Sequence, residues 1–214
     1  MKDVIIVCAG NRAKTIYSNI QLANKLADEK NEERPYNLLG FINDIPNTLE
    51  GSGIDAPILG TIVDWYPKGD EWYIMGTADP RGKEKLAKML KERGCRFTSI
   101  ISPNAIISSD VQMGEGCVVE AYRIDACVKM GDFVSVNSSL LMSGTVIDDF
   151  STTTGFTVVE NASIGKRAYV GSHAVITDGV KVGDDTVISI GSIVTKDVPD
   201  GAKVFGVPAE VTGW

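Results

Sequence analysis

The sequence is poor in the residues that most often carry metal and acid–base chemistry. One histidine, His173, stands in 214 residues. Four cysteines, Cys8, Cys95, Cys117 and Cys127, show no CxxC spacing, so they indicate neither a zinc site nor a disulfide framework and read as buried thiols. No apolar run approaches the roughly 20 residues that span a bilayer, so membrane insertion is not expected. The opening MKDVIIVCAG has one lysine and a short apolar run that passes into a polar, helix-like stretch. It reads as a first strand and not as a secretory signal, which implies a cytoplasmic protein. The net charge is −7 with basic residues scattered along the chain. The basic stripe needed to grip a phosphate backbone is missing, and nucleic acid is not an expected partner. CAGNRA carries one glycine where a dinucleotide fold shows GxGxxG, which argues against bound NAD.

What the chain does have is a repeat. Every sixth residue from Ile164 is aliphatic: Ile164, Val170, Ile176, Val182, Ile188 and Val194. That is the period of hexapeptide β-helices. Two residues before each stand Ala162, Ala168, Ala174, Val180, Thr186 and Ser192, slim enough for the interior corners of a triangular coil. Gly165, Gly171 and Gly183 follow three of the aliphatics. Glycine tolerates close backbone approach and positive φ, either of which helps the chain bend between flat faces. The same grammar recurs at Ile107, Met113 and Val119, then at Met130, Val136 and Met142, with Gly114 and Gly131 in matching slots. Its phase slips, because 11 residues separate Val119 from Met130 and 22 separate Met142 from Ile164. Those gaps predict tight corners or irregular coils. An antiparallel sandwich would instead alternate with period two between turns about every 8–12 residues. The expectation is a left-handed parallel β-helix of hexapeptide repeats from about Pro103 to Val194, within a domain spanning residues 101–214.

Residues 1–100 carry a different pattern. VIIVCAG is a short apolar run, followed from Lys14 to Glu29 by Ile16, Ile20, Ala23 and Ala27 at helical spacing. Tyr36 to Asp44 and Glu71 to Gly76 read as further strands, and PILGTI as a connecting strand or turn. RGKEKLAKMLKERG reads as a helix with Leu86, Met89 and Leu90 on one side and Gly94 as its stop. Strands alternating with helices imply an α/β N-terminal domain, a small parallel Rossmann-like sheet. In such sheets ligands sit beyond the carboxyl ends of the strands, here Gly10, Asn11 and Arg12, then Asn43 and Asp44, then Thr77. Arg12 could pair with a phosphate or simply be solvated. Asp44 could bind a ribose or an amine, or serve as a turn residue before Ile45-Pro46-Asn47.

This order, leading through ISPNAII (Ile101 to Ile107) into hexapeptide repeats and ending in IVTKDVPDGAKVFGVPAEV, resembles the sialic acid O-acetyltransferase and UDP-4-amino-sugar N-acetyltransferase family. Val194-Thr195-Lys196-Asp197-Val198-Pro199 and Gly206-Val207-Pro208-Ala209 look like the acetyl-CoA-binding end of hexapeptide acyltransferases. Phe41 to Asp44 resembles the strand-end motif that lines the family's nucleotide-sugar crevice. The resemblance implies a homotrimer with acetyl-CoA in the groove between neighbouring β-helices and no metal. It assigns to that groove Gly171, Ser172 and His173, then Ser189 and Gly191, with Lys196 meeting a CoA phosphate and Pro208 nearby. The sugar partner would present its amine or hydroxyl to the thioester.

The chain departs from the family where the chemistry is done. Relatives carry a base histidine in a coil soon after the Asn137 region, and here that position holds Ser143 or Gly144, according to the alignment. A second family histidine corresponds to Thr152. Neither Ser, Gly nor Thr takes a proton near neutral pH without a further base. The relatives' glycine-rich, histidine-bearing turn is replaced by Cys8-Ala9-Gly10-Asn11-Arg12-Ala13. Two readings follow. One is an acetyl-CoA-dependent transferase acting on a nucleotide-linked or glycan sugar, with the base supplied by His173, Asp148, Asp149, Glu160 or the substrate amine itself. The other is a catalytically impaired pseudoenzyme that serves as a trimeric binding or scaffolding protein. A γ-carbonic-anhydrase-type zinc site would need three histidine ligands, and a sugar nucleotidyltransferase would need far more than roughly 100 residues of catalytic domain.

Overall fold

In a computed structural model, which describes residues 1–214, the chain forms a five-stranded parallel sheet flanked by helices and, after it, a parallel β-solenoid. The strands of the sheet are β1 (Lys2–Val7), β2 (Tyr36–Ile42), β3 (Ile58–Gly60), β4 (Trp72–Met75) and β5 (Arg96–Phe97), ordered β3-β2-β1-β4-β5. Helix α1 (Asn11–Glu29) returns the chain from β1 to β2, and α2 (Pro80–Glu92) from β4 to β5. Successive strand residues point to opposite faces. Val4, Ile6 and Ile74 pack with Ala13, Ile16 and Ile20 of α1, while Ile5, Val7, Tyr73 and Met75 pack with Ala87 and Leu90 of α2. Both faces of the sheet are therefore covered, as a parallel sheet requires. Leu86 and Met89, expected on the inner side of α2, are only half-buried; Lys83 lies on the buried face instead. Asp79 caps this helix, its Oδ2 accepting from Gly82 N at 2.9 Å, and Gly94 stops it with φ +91°.

The solenoid begins at Ile100–Ile101 and coils through three faces. The first face runs through Val118–Glu120, Ser135–Asn137, Thr152–Thr153, Tyr169–Val170 and Val187–Ile188, and is closed by the hairpin Lys203–Gly206 and Ala209–Gly213. The second face runs from Ile106–Ile107 to Ile193–Val194 and the third from Gln112–Met113 to Lys181–Val182. In each short strand the second residue points inward. The aliphatic series from Ile164 to Val194 is buried throughout, and so are Ala162, Ala168, Ala174, Val180, Thr186 and Ser192 beside it.

The phase slips are five-residue corners. The inward series steps from Val119 to Ile124, from Val136 to Leu141 and from Val159 to Ile164, shortening the coils they fall in to 17 residues, as in the pairing of Lys129 with Val146 and Ser135 with Thr152. Met142, expected inward, is exposed, and Leu141 takes its place because the corner before it is one residue short. Gly114, Gly131, Gly165, Gly171 and Gly183 do not need positive φ. A side chain at Gly171 would put Cβ 2.7 Å from Ile190 N of the next coil, so close stacking is what requires glycine there. The left-handed corner positions are held by other residues, among them Phe133, Phe150, Phe156, Arg167 and His173. Of the cysteines, Cys95 and Cys117 are buried and Cys8 is partly so, but Cys127 is exposed at a corner. No helix is long and apolar enough to cross a membrane.

Candidate active site

The sheet leans on the first face of the solenoid through two buried cations. Arg12, expected at the mouth of the crevice, turns away from it: the guanidinium is bonded to Glu120 Oε2 and Asn137 Oδ1 and reaches Val118 O at 3.2 Å. Both members of the Arg12–Glu120 pair are less than one-tenth exposed, and Asn19 also donates to Glu120. Burial lowers the Arg12 pKa and raises that of Glu120, each against the pull of its partner. Arg12 is thus a joint residue and not a phosphate ligand, because its charge is already matched by a carboxylate. Lys83 enters the same joint from α2. Its Nζ bonds to Ser135 Oγ at 3.1 Å, Ser151 O at 3.2 Å and Thr152 Oγ1 at 3.0 Å. No carboxylate touches it, and burial lowers its pKa from 10.5 to about 7.

Thr152 Oγ1 donates onward to Ala78 O at 2.8 Å, tying the loop after β4 to the solenoid. Gly10, Asn11 and Thr77 follow the carboxyl ends of β1 and β4. Asn43 and Asp44 follow β2 and tie the neighbouring loops together: Asn43 Oδ1 accepts from Ala9 N at 3.1 Å, and Asp44 Oδ1 from Ile62 N at 2.7 Å and Val63 N at 3.1 Å. Asp44 thus ties down the 62–63 segment, a role that neither of its sequence readings described.

The edge between the first and second faces gathers most of the residues expected around CoA. Ser138, Phe156, His173 and Gly191 occupy equivalent left-handed positions in successive coils, with φ of +43°, +60°, +60° and +67°. His173 N donates to Gly155 O at 3.0 Å and Gly191 N to Ser172 O at 2.9 Å. The exposed His173 ring stacks on Phe156 at 5.2 Å between centroids. Ser172 Oγ bonds to Thr154 Oγ1 at 3.1 Å. Ser189 sits half-buried directly after the strand Val187–Ile188, two residues before Gly191, and donates its amide to Val204 O, while Pro208 turns the closing hairpin. Lys196 lies apart, exposed and 3.9 Å from Glu210. Lower on this edge, a cavity of about 450 Å³ is lined by Tyr122, Leu140, Phe156 and Val158 with Glu120 and Asn104.

Ser143 and Gly144 form a turn on the next edge, between the second and third faces, and Glu160 and Asn161 form the equivalent turn one coil on. Asp149 is committed to structure, accepting from Asp132 N at 2.9 Å and pairing with Lys166 at 3.1 Å. Asp148 Oδ1 accepts from Asp149 N. No group of three or more His, Cys, Asp or Glu side chains is gathered as a metal site would need. Sequence reasoning missed Lys83 and Glu120. Lys83 could have been noticed because it falls on the 83-87-90 stripe of α2, whereas Glu120 meets Arg12 across 108 residues and leaves no local signal.

Coils at hexapeptide spacing, closed by a hairpin, define a hexapeptide-repeat protein. Residues 100–199 match the family model described as the GMPPB C-terminal domain. The galactoside O-acetyltransferase of Escherichia coli strain K12 is 38% identical over 152 residues, covering 65% of this chain and 73% of that protein. The chain belongs to the sugar acetyltransferases of the hexapeptide-repeat family. Two solved structures share its fold along almost the whole length. An asparagine-for-histidine mutant of perosamine N-acetyltransferase from Caulobacter crescentus, in complex with CoA and GDP-perosamine, has a TM-score of 0.81 at 21% identity, covering 100% of this chain and 98% of that chain. The acetyltransferase domain of PglB from Neisseria gonorrhoeae FA1090, in complex with acetyl coenzyme A, has a TM-score of 0.80 at 21% identity, covering 99% of each.

Proposed function

We propose that this chain is a cytoplasmic transferase that moves the acetyl group of acetyl-CoA to a nucleotide-linked amino sugar. The attacking amine adds to the thioester carbonyl, the C–S bond breaks, CoA leaves as thiolate and the amine proton passes to a base. The observation that carries the reading is the edge on which Gly171, Ser172, His173, Ser189 and Gly191 stack in consecutive coils and run towards Pro208. Backbone amides and small side chains there suit a pantetheine arm, and His173 is the one imidazole available as the base. Relatives that bind CoA and act on sugars support the choice of donor and acceptor. Gly10, Asn11 and Thr77, at the carboxyl ends of β1 and β4, hold the acceptor, with Asn43 and Asp44 after the adjacent β2. Strand order supports a Rossmann-like unit over residues 1–100, whose switch point falls between β1 and β4. A left-handed solenoid makes up residues 101–214. Three copies assemble through the second face, whose outward row includes Ile106 (60% exposed), Leu140, Val158, Val175 and Ile193. The relatives named above are transferases, and none of them supports a non-catalytic scaffold.

Thiol release from acetyl-CoA tests the proposal, with a panel of UDP-, GDP- and dTDP-linked amino sugars beside free sugars. Thiol should appear only with an acceptor, and His173→Ala should lower kcat about 10²–10⁴-fold, the usual contribution of a general base. An unchanged kcat in that variant would remove His173 from the chemistry. Sedimentation velocity reads the trimer directly.

A further inference from the structure

Along the edge between the first and second faces, one rung of an aromatic ladder is missing. His173 stacks on Phe156 at 5.2 Å between ring centroids. Phe156 N in turn donates to Ser138 O at 3.0 Å, and Tyr122 N to Ser139 O at 3.0 Å. Ser138 therefore stands between two rings, Phe156 above and Tyr122 below, with only a hydroxymethyl group where the next coil carries a phenyl. On the edge between the third and first faces the equivalent positions are filled, and Phe133 and Phe150 stack there at 5.3 Å. The gap at Ser138 opens the cavity of about 450 Å³ on this edge. Tyr122, Leu140, Phe156 and Val158 wall it, with Tyr122 70% and Phe156 68% exposed. Glu120 is the one charged residue on its surface, and both its oxygens are engaged, one by Arg12 and the other by Asn19. With no cation on its wall the cavity does not suit a phosphate. Its rings and aliphatic side chains suit a hydrocarbon, and its volume falls in the range of small-molecule sites.

We propose that this cavity receives the acyl chain of the CoA donor, so that the enzyme takes short acyl groups of about three to five carbons as well as acetyl. The inference rests on the transferase reading and names the acyl class of its donor. Continuity is the first argument. The edge that runs from Pro208 past Gly191 to His173 leads into the cavity, because Phe156 is both the ring under His173 and a wall of the cavity. A thioester whose carbonyl lies beside His173 therefore sends its chain towards Phe156 and Ser138. Size is the second. Neighbouring coils lie about 4.8 Å apart, so such a chain reaches from the level of His173 past Phe156, whereas an acetyl methyl would leave the space to water. The chemistry is unchanged. The amine adds to the thioester carbonyl, the C–S bond breaks, CoA leaves as thiolate and the amine proton passes to His173. Leu140 and Val158 also belong to the row on which copies of the chain are proposed to meet, so a second copy is the other occupant the experiment must exclude.

Acetyl-CoA and butyryl-CoA are titrated into the protein by calorimetry without acceptor, and both are then offered with the acceptor panel in the thiol-release assay. Two further buried methylenes are worth about tenfold in affinity. Butyryl-CoA should therefore bind about tenfold more tightly than acetyl-CoA, and its kcat/KM should at least equal that of acetyl-CoA. Ser138→Phe supplies the missing ring and should remove the preference. The variant folds, because Phe133, Phe150 and Phe156 already hold left-handed corners with φ of +56°, +62° and +60°. Ser138→Ala, which keeps the space open, should keep the preference. The proposal is overturned if butyryl-CoA binds no more tightly than acetyl-CoA, the result expected if side chains of a second copy fill the cavity, or if Ser138→Phe retains the preference. Thiol release from acetyl-CoA by a protein that rejects butyryl-CoA would sink this inference and leave the transferase standing. Preferential binding of butyryl-CoA without thiol release to any acceptor would do the reverse.

Discussion

The two halves of the solenoid obey different rules. From Ile164 to Val194 the inward residues step strictly by six, coils repeat every 18 residues, as in Tyr169 pairing with Val187, and the outward first-face positions Tyr169 and Val187 are left uncovered by the sheet. Before Ile164 the coils shorten at five-residue corners, and the outward positions Val118, Ser135 and Thr152 are buried beneath the sheet and its helices. The interior differs as well. In the lower half Ser139, Thr145, Ser151, Thr153 and Thr157 bury hydroxyls that all find partners, such as Ser139 Oγ with Thr153 Oγ1 at 2.9 Å. In the upper half Thr186 Oγ1 is buried with none. A bare coil needs only a periodic core. A coil that also receives another layer gives up its regular register to set the spacing and polarity of its outer surface.

The sharpest way to break this contrast is at the joint. Glu120→Ala leaves Arg12 buried without a counter-charge and should cost about 3–5 kcal/mol, read as a lower urea midpoint. A loss below about 1 kcal/mol would mean that the pair is not what holds the sheet to the lower coils. Ile176→Ala in the regular half removes packing alone and should cost about 2–5 kcal/mol, in one cooperative transition shared with the sheet. A separate early transition would show that the halves unfold independently.

Lys83 gives the joint a pH signature. Its folded pKa lies at about 7 against 10.5 when unfolded, so between those values the unfolded chain holds a proton that the folded chain does not. Stability contributed by this site should therefore rise with pH across that window, by up to about 1.4 kcal/mol per pH unit. Lys83→Met removes the slope, and parallel wild-type and variant profiles would refute a neutral buried amine. The smallest effect separates the interiors. Thr186→Val removes an unsatisfied hydroxyl and should stabilise by about 1 kcal/mol, whereas Thr153→Val breaks the bond to Ser139 and should destabilise by about as much. Equal effects from the two would erase the difference between the interiors.

How much of this was legible follows the same division. The upper coils could be read because the side chain that must be buried recurs at one fixed interval. In the lower coils two adjacent apolar residues, Leu141 and Met142, compete for one inward slot, and only the three-dimensional corner decides between them. The glycines marked the coil positions correctly, but their reason is the approach of the next coil, which local sequence does not contain. At the candidate site, the residues stacked along one edge were accessible through spacing and resemblance. For Arg12 the sequence offered a phosphate or solvent, and neither reading found its buried partner, Glu120, which is distant in sequence. Lys83 was hidden because lysine on a helix normally faces water.

The most direct test of the account is a calorimetric titration of CoA into the wild type and into Gly191→Trp. A Cβ at Gly191 would face open space, so the variant folds, at a cost of about 1–2 kcal/mol for the left-handed backbone, while the indole fills the edge beside His173. The account predicts that the wild type binds CoA and that the variant loses at least tenfold in affinity. Equal affinity in the two proteins, or no binding by the wild type, would contradict it.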